Sequence, residues 1–258
     1  LEWHTAGSNY FESGIDQGVL YVDGYDGVPW NGLISVTESS SGGDAQPYYI
    51  DGYKYANRTG DEEFEATIEA YTYPDLFMKC DGTEQPRPGL FITQQRRLSF
   101  GLSYRTLVGN EVNSDHGYKI HLVYNALVSP SEHHYETQDN SPKPMTFSWG
   151  ITTRPTVTTG YKPTAHIIID TRTTDPKVVR AIEDFIYGSN LAAPALPTFE
   201  QILDLYDTPE FLVTDHGDGT YTVIAPDFAI TDTGGGTYSL TWPTAVPIDA
   251  DTYTISSP

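Results

Sequence analysis

The chain has 258 residues, with 14 basic and 35 acidic side chains, a formal net charge of −21, 38% hydrophobic residues and 19 tyrosines. That length holds one medium β domain with an appendage or two small domains, with enough apolar residues for a core. Such acidity makes the chain a poor binder of phosphate backbones, which need Lys and Arg to displace their counterions, and the lone Cys80 excludes an internal disulfide and a cysteine-based zinc site.

No apolar core of a signal peptide follows Leu1, and no apolar run reaches membrane-spanning length, so synthesis in the cytosol is expected. Weak strand patterns cover Gly18–Val22, Leu33–Thr37 and Tyr48–Tyr55. The Ser/Gly-rich stretch Glu38–Gln46 reads as a linker. Asn57-Arg58-Thr59 fits a glycosylation sequon, and without a secretory signal it is expected to be a chance match. The clearest alternation runs from Glu63 to Tyr71: Phe64, Ala66, Ile68 and Ala70 share one face, and Glu63, Glu65, Thr67, Glu69 and Tyr71 the other. Three glutamates on one strand face must be wet, paired or lining something polar.

A polar linker, Lys79–Arg97, carries Pro86, Pro88 and Gly89. Strands are expected over Ser99–Leu107, over Tyr118–Tyr124 with Tyr118, Ile120, Leu122 and Tyr124 on one side, and over Thr164–Asp170. A further strand covers Met145–Ile151, with Met145, Phe147, Trp149 and Ile151 on one face. The loop Ser129–Pro144 holds three prolines and His133-His134; loops this long are functional or disordered. Asp175-Pro176 is a helix start, Val178, Val179, Ile182, Phe185 and Ile186 recur at helical spacing, and Gly188 is a stop. Thr198 with Gln201 forms a capping-box pattern ahead of the stripe Phe199, Ile202, Leu203 and Tyr206. Beyond Pro209, Phe211–Thr214 and Tyr221–Ile224 read as a hairpin around His216-Gly217-Asp218-Gly219, followed by strands over Thr237–Trp242 and Thr252–Ile255.

Strands first and helices after predict a mainly β fold: a β-sandwich or partial barrel with one or two flanking α-helices over residues 1–208, and a small C-terminal β appendage over 209–258. Free sheet edges must be blunted or used, and a ring-forming protein can use them to join neighbouring copies.

Phosphate-loop, dinucleotide and nucleophile-elbow patterns are absent, and Gly42-Gly43 and Gly234-Gly235-Gly236 read as turns. Among seven histidines there is no HExxH; on a regular strand the adjacent His133-His134 would point to opposite faces, and His116 and His121 are expected in or beside a strand. Asp215-His216-Gly217-Asp218-Gly219 and Asp249-Ala250-Asp251 lack full calcium-loop spacing. No catalytic, cofactor or metal residues are therefore expected, and the chain reads as a non-enzyme. Trp3, Trp30 and several tyrosines leave open a sugar-stacking surface, against the simpler reading of core or interface packing.

Several runs resemble the tail proteins of siphophages infecting actinobacteria: Trp3-His4-Thr5-Ala6-Gly7-Ser8, Gly18-Val19-Leu20-Tyr21-Val22, Trp30 through Glu38, Glu63 through Ala70, Phe100 through Thr106, His116 through Asn125, and Lys162-Pro163-Thr164-Ala165-His166. The resemblance covers most of the first 190 residues. It implies a tail-tube fold assembling as stacked hexameric rings through which DNA passes non-specifically. Its expected partners are further copies, a tape-measure protein, a distal-tail protein and a terminator, with no membrane. Its expected location is the virion tail. A distal-tail or baseplate ring and a carbohydrate-binding adsorption module are the alternatives. Glu63, Glu65 and Glu69 become candidate lumen-facing acids, against an ordinary solvated outer face, and the three long loops become inter-subunit contacts.

Overall fold

Alternating residues make a strand bury one side only, so two such sheets, or one sheet folded over, must meet face to face. The computed structural model describes residues 5–43, 45–60, 62–130, 135, 137, 144–190 and 192–207, with strand segments 212–215, 221–224, 229–234, 237–241 and 255–256. They form two compact units, Leu1–Thr198 and Phe199–Pro258. This division and the one read from sequence differ by a single helix, Phe199–Asp207.

The first unit contains β1 (Tyr10–Val22), β2 (Val28–Pro29), β3 (Leu33–Gly42), β4 (Ala45–Ile50), β5 (Tyr53–Thr59), β6 (Glu62–Ala70), α1 (Phe77–Cys80), β7 (Glu84–Arg87), β8 (Leu90–Ile92), β9 (Phe100–Asn110), β10 (Gly117–Val128), β11 (Phe147–Thr153), β12 (His166–Asp170) and α2 (Pro176–Tyr187). Eight strands make one antiparallel sheet in the order β2-β1-β9-β10-β11-β6-β3, with β12 also on β10. The sheet folds over, so that Leu20 and Leu102 from one half share a core with Ala66, Ile68, Trp149 and Ile151 from the other. This is the mainly β, sandwich-like fold expected. Trp30 and Phe77 belong to this core, with ring centroids 4.5 Å apart and Phe77 5.0 Å from Trp149. Trp30 is 3% exposed and donates from Nε1 to the Thr72 carbonyl, so it is a core residue and offers no sugar-stacking surface. Cys80 is buried in the same core, and burial, with Asp81 nearby, pushes its thiol up to about 12.

Helix α2 covers the sheet's other face. Asp175 caps it, accepting from the Lys177 amide at 2.8 Å, and Gly188 ends it at a φ of 79°. Burial of Val179, Ile182 and Ile186 stabilises the contact by about 1.5–3 kcal/mol each at full burial. Polar ties fix its position: Tyr21 donates to the Ile186 carbonyl at 2.7 Å and Tyr118 to Glu183 at 2.8 Å. Arg105 grips Asp16 through two bonds, 2.9 and 2.8 Å long, while stacking on the Tyr118 ring.

Three sequence expectations need correction. Glu38–Gln46 is no linker: β3 continues through Gly42 and β4 starts at Ala45. Its serines are held in register against β6, which composition alone cannot reveal. Tyr48–Tyr55 is not one strand but the hairpin β4–β5, turned at Asp51 and Gly52 with φ of 49° and 79°. Positive φ at both central residues is what an Asp-Gly turn provides. Lys79–Arg97 contains the end of α1 and a second hairpin, β7–β8.

The second unit contains α3 (Phe199–Asp207), β13 (Leu212–Asp215), β14 (Tyr221–Ile224), β15 (Ala229–Gly234), β16 (Thr237–Thr241) and β17 (Ile255–Ser256). On α3, Ile202 is buried as expected, but Leu205 is buried in place of Leu203 and Tyr206, which are exposed. β13 pairs with β14, and β15, unforeseen in the sequence, joins β16 and β17 in a three-stranded sheet. Trp3, His133-His134, most of Ser129–Pro144, His216 to Gly219, Gly235-Gly236, Trp242 and Asp249 to Asp251 lie outside the described residues, as do the side chains of Asn57, Arg58 and Thr59.

Candidate functional site

Strand pairing decides which residues share a surface, since partners across an antiparallel ladder face the same way. β6 lies between β3 and β11, and its ladder places Glu63, Glu65, Thr67 and Glu69 beside Ser41, Ser39, Thr37 and Ser35 on one flank. Thr152, Gly150 and Ser148 lie opposite Glu65, Thr67 and Glu69 on the other flank. All of these residues are exposed or half-buried, and none is basic. Ser41 donates to Glu65 at 2.7 Å and Ser35 to Glu69 at 3.0 Å. The three glutamates singled out in the sequence therefore share one carboxylate-and-hydroxyl face, on the side of β6 opposite Ala66 and Ile68.

Alternation puts Glu38, the partner of Ala66 in the ladder, on the inner side of β3. There it meets residues from β9, β10 and β12. Tyr104 donates to Glu38 Oε1 at 2.6 Å, His121 Nδ1 lies 3.2 Å from Oε1, and His166 Nδ1 lies 3.8 Å from Oε2. His121 Nδ1 and His166 Nε2 are 3.2 Å apart, and the His121 ring stacks on Tyr104 at 4.6 Å. The far side of His121, Nε2, contacts Thr106 Oγ1 at 3.1 Å; Thr106 bonds Glu12, which pairs with Lys119.

The hydrogen bond with His121, supported by that from Tyr104, holds the Glu38 carboxyl well below the usual carboxylate range, at about 2, although partial burial opposes it. Burial drives His166 down to about 4, only partly offset by Glu38. Burial and the neighbouring carboxylate raise the Tyr104 hydroxyl. Chemically this is a convergence of one carboxylate and two imidazoles at the wall of an open groove that Glu38 and His166 line together with Glu63, Phe64 and Thr164.

Sequence reasoning missed this cluster because its members come from three strands far apart in the chain. The one available signal was the inward phase of Glu38, hidden when its strand was read as a linker. His116 lies outside the cluster, 5.0 Å from the Tyr10 ring. Exposed apolar residues gather on the two hairpins: Tyr48, Tyr49, Ile50, Tyr53 and Tyr55 on β4–β5, and Leu90, Phe91 and Ile92 on β7–β8, with Tyr53 81% exposed.

No helix among the described residues is long and apolar enough to cross a membrane. No protein-family model matches the chain, and no curated protein matches it. Among solved structures, the chain is similar to one from the PVC sheath-tube complex of an extracellular contractile injection system in its extended state. The likeness covers 60% of this chain and 89% of that one, at 13% identity and a TM-score of 0.30.

Proposed function

We propose that the chain is a non-catalytic structural subunit of a phage-type tail, made in the host cytoplasm and built into the virion as stacked hexameric rings around a DNA channel. The observation that carries this reading is the outer face of β3, β6 and β11, where Glu63, Glu65 and Glu69 stand among serines and threonines without a basic residue. DNA passing such a wall finds no cation to displace its counterions and is repelled at close range. The runs that resemble siphophage tail proteins support the same role.

The hairpins β4–β5 and β7–β8 serve as assembly arms in this reading. Each carries large apolar side chains that a neighbouring copy would cover. Contacts of this heterologous kind close into rings and also propagate along an axis. Tape-measure, distal-tail and terminator proteins would bound the stack.

Negative-stain electron microscopy at high protein concentration tests the reading. Long hollow tubes with a regular axial repeat are the expected result; isolated rings that never stack point to a distal-tail position. Reversing charge with Glu63→Lys, Glu65→Lys and Glu69→Lys should slow or block DNA ejection, and normal ejection would count against a luminal position for this face.

One observation favours a second reading. The exposed tyrosines of β4–β5 are also suited to stacking on sugars, as in a host-adsorption module. A glycan array separates the two: binding lost on Tyr53→Ala and Tyr55→Ala favours adsorption, whereas loss of assembly in those variants favours the arm.

A further inference from the structure

We propose that Glu38, His121 and His166 bind one divalent transition-metal ion, with zinc the best match to the donor set, and that the ion ties β3 to β10 and β12 across the fold. This inference does not depend on the tail reading. The ligand atoms of the three residues all lie within 4.8 Å of one another. Two of the separations, His121 Nδ1 to Glu38 Oε1 and His121 Nδ1 to His166 Nε2, are 3.2 Å. A tetrahedral zinc ion with bonds of about 2.0–2.1 Å sets its ligand atoms about 3.3 Å apart. Two imidazoles and a carboxylate are a known donor set for that ion, leaving a position for water.

The proton inventory points the same way. Thr106 has one hydroxyl proton and donates it to Glu12, so its oxygen accepts from His121 Nε2–H. With the Nε2 proton spent there, Nδ1 bonds Glu38 Oε1, which already accepts from Tyr104, only when it carries a second proton, the place that a metal ion would take. His166 Nε2 adds a third atom at the same spot. Lone pairs converging in this way call for a shared cation, either a proton or a metal ion.

Outer contacts of the kind that orient metal ligands are in place. The series Lys119, Glu12 and Thr106 fixes the His121 ring from behind, and Tyr104 both bonds Glu38 and stacks on His121. Access is provided by the open groove, lined by Glu38 and His166. The ion would pin β3 to β10 and β12, neither of which is its hydrogen-bonded neighbour, since β3 lies at one end of the sheet order, beyond β6 and β11.

The test uses the purified full chain, stripped with a chelator and titrated with Co2+ and then Zn2+. One Co2+ per chain, giving visible bands that Zn2+ displaces, is expected. Zn2+ at a hundredfold excess over its Kd should raise Tm by roughly 5–10 °C. X-ray absorption of the zinc-loaded wild type should report two imidazoles, a readout that needs no variant. Glu38→Gln and His166→Ala should each weaken Co2+ binding at least tenfold, and Thr106→Val by roughly 10–100-fold. A variant with His133→Ala and His134→Ala should bind as the wild type does. If His166→Ala does not fold, the half-exposed Glu38→Gln decides. Absence of Co2+ bands would leave the proton as the only shared cation and overturn the proposal, as would undiminished binding in Glu38→Gln or loss of binding in the His133/His134 variant.

Discussion

The outer and inner faces of β3 and β6 are built from alternate residues of the same two strands, yet they treat carboxylates in opposite ways. Outside, the carboxylates of Glu65 and Glu69 each accept from a serine hydroxyl, and Glu63 is exposed. Inside, Glu38 is held at about 2 by His121 and Tyr104 and faces a second, half-buried imidazole. The chemistry of an acid in a sheet is thus set less by its own strand than by what the opposite layer presents. A register slip of one residue would exchange the two sets.

The comparison breaks most visibly in the hydrophobic part of the inner face. Ile68→Ala is expected to cost about 2–5 kcal/mol in denaturant unfolding, because Ile68 is fully buried and its neighbours collapse only in part. Its outward neighbour, Thr67→Ala, should stay within about 0.5 kcal/mol. Tyr104→Phe removes the hydroxyl that serves Glu38 and should cost about 1–3 kcal/mol. Acid sharpens the contrast further. The His166 value is depressed from 6.5 to about 4, so the unfolded chain takes up its proton first and stability should fall as pH drops through that window. Glu38 is depressed from 4.5 to about 2, so its contribution is present above 4.5 and is lost as pH falls toward 2. In pH-dependent unfolding, Glu38→Gln should remove the lower part of this loss and keep the upper. The smallest effect belongs to the outer face: Glu63→Gln, Glu65→Gln and Glu69→Gln should each change stability by no more than about 0.5 kcal/mol. Larger losses there would show that the serine bonds hold the sheet.

Much of the scaffold was legible because period and phase are local properties. The alternation of Phe64, Ala66, Ile68 and Ala70 named the buried face of β6, and Asp175-Pro176 with Gly188 bounded α2. The limits lay where local composition and tertiary pairing disagree. Ser39 to Gly42 resemble a flexible link in isolation, but a ladder partner turns them into strand. Asp51-Gly52 was a visible hairpin signal that the tyrosines around it obscured. The Glu38, His121 and His166 cluster was out of reach because it depends on the sheet folding over, a long-range event that no spacing encodes. The grouping of Glu63, Glu65 and Glu69 needed only alternation, while their serine partners needed the register.

Cys80 gives the core a reporter of its own. Thiol reagents attack the thiolate, and a buried sulfur with its ionisation pushed up to about 12 offers almost none at neutral pH. As the only cysteine in the chain, it makes every labelling event a record of an opening that exposes α1. The labelling rate under native conditions, followed against temperature, would time that opening in the folded chain.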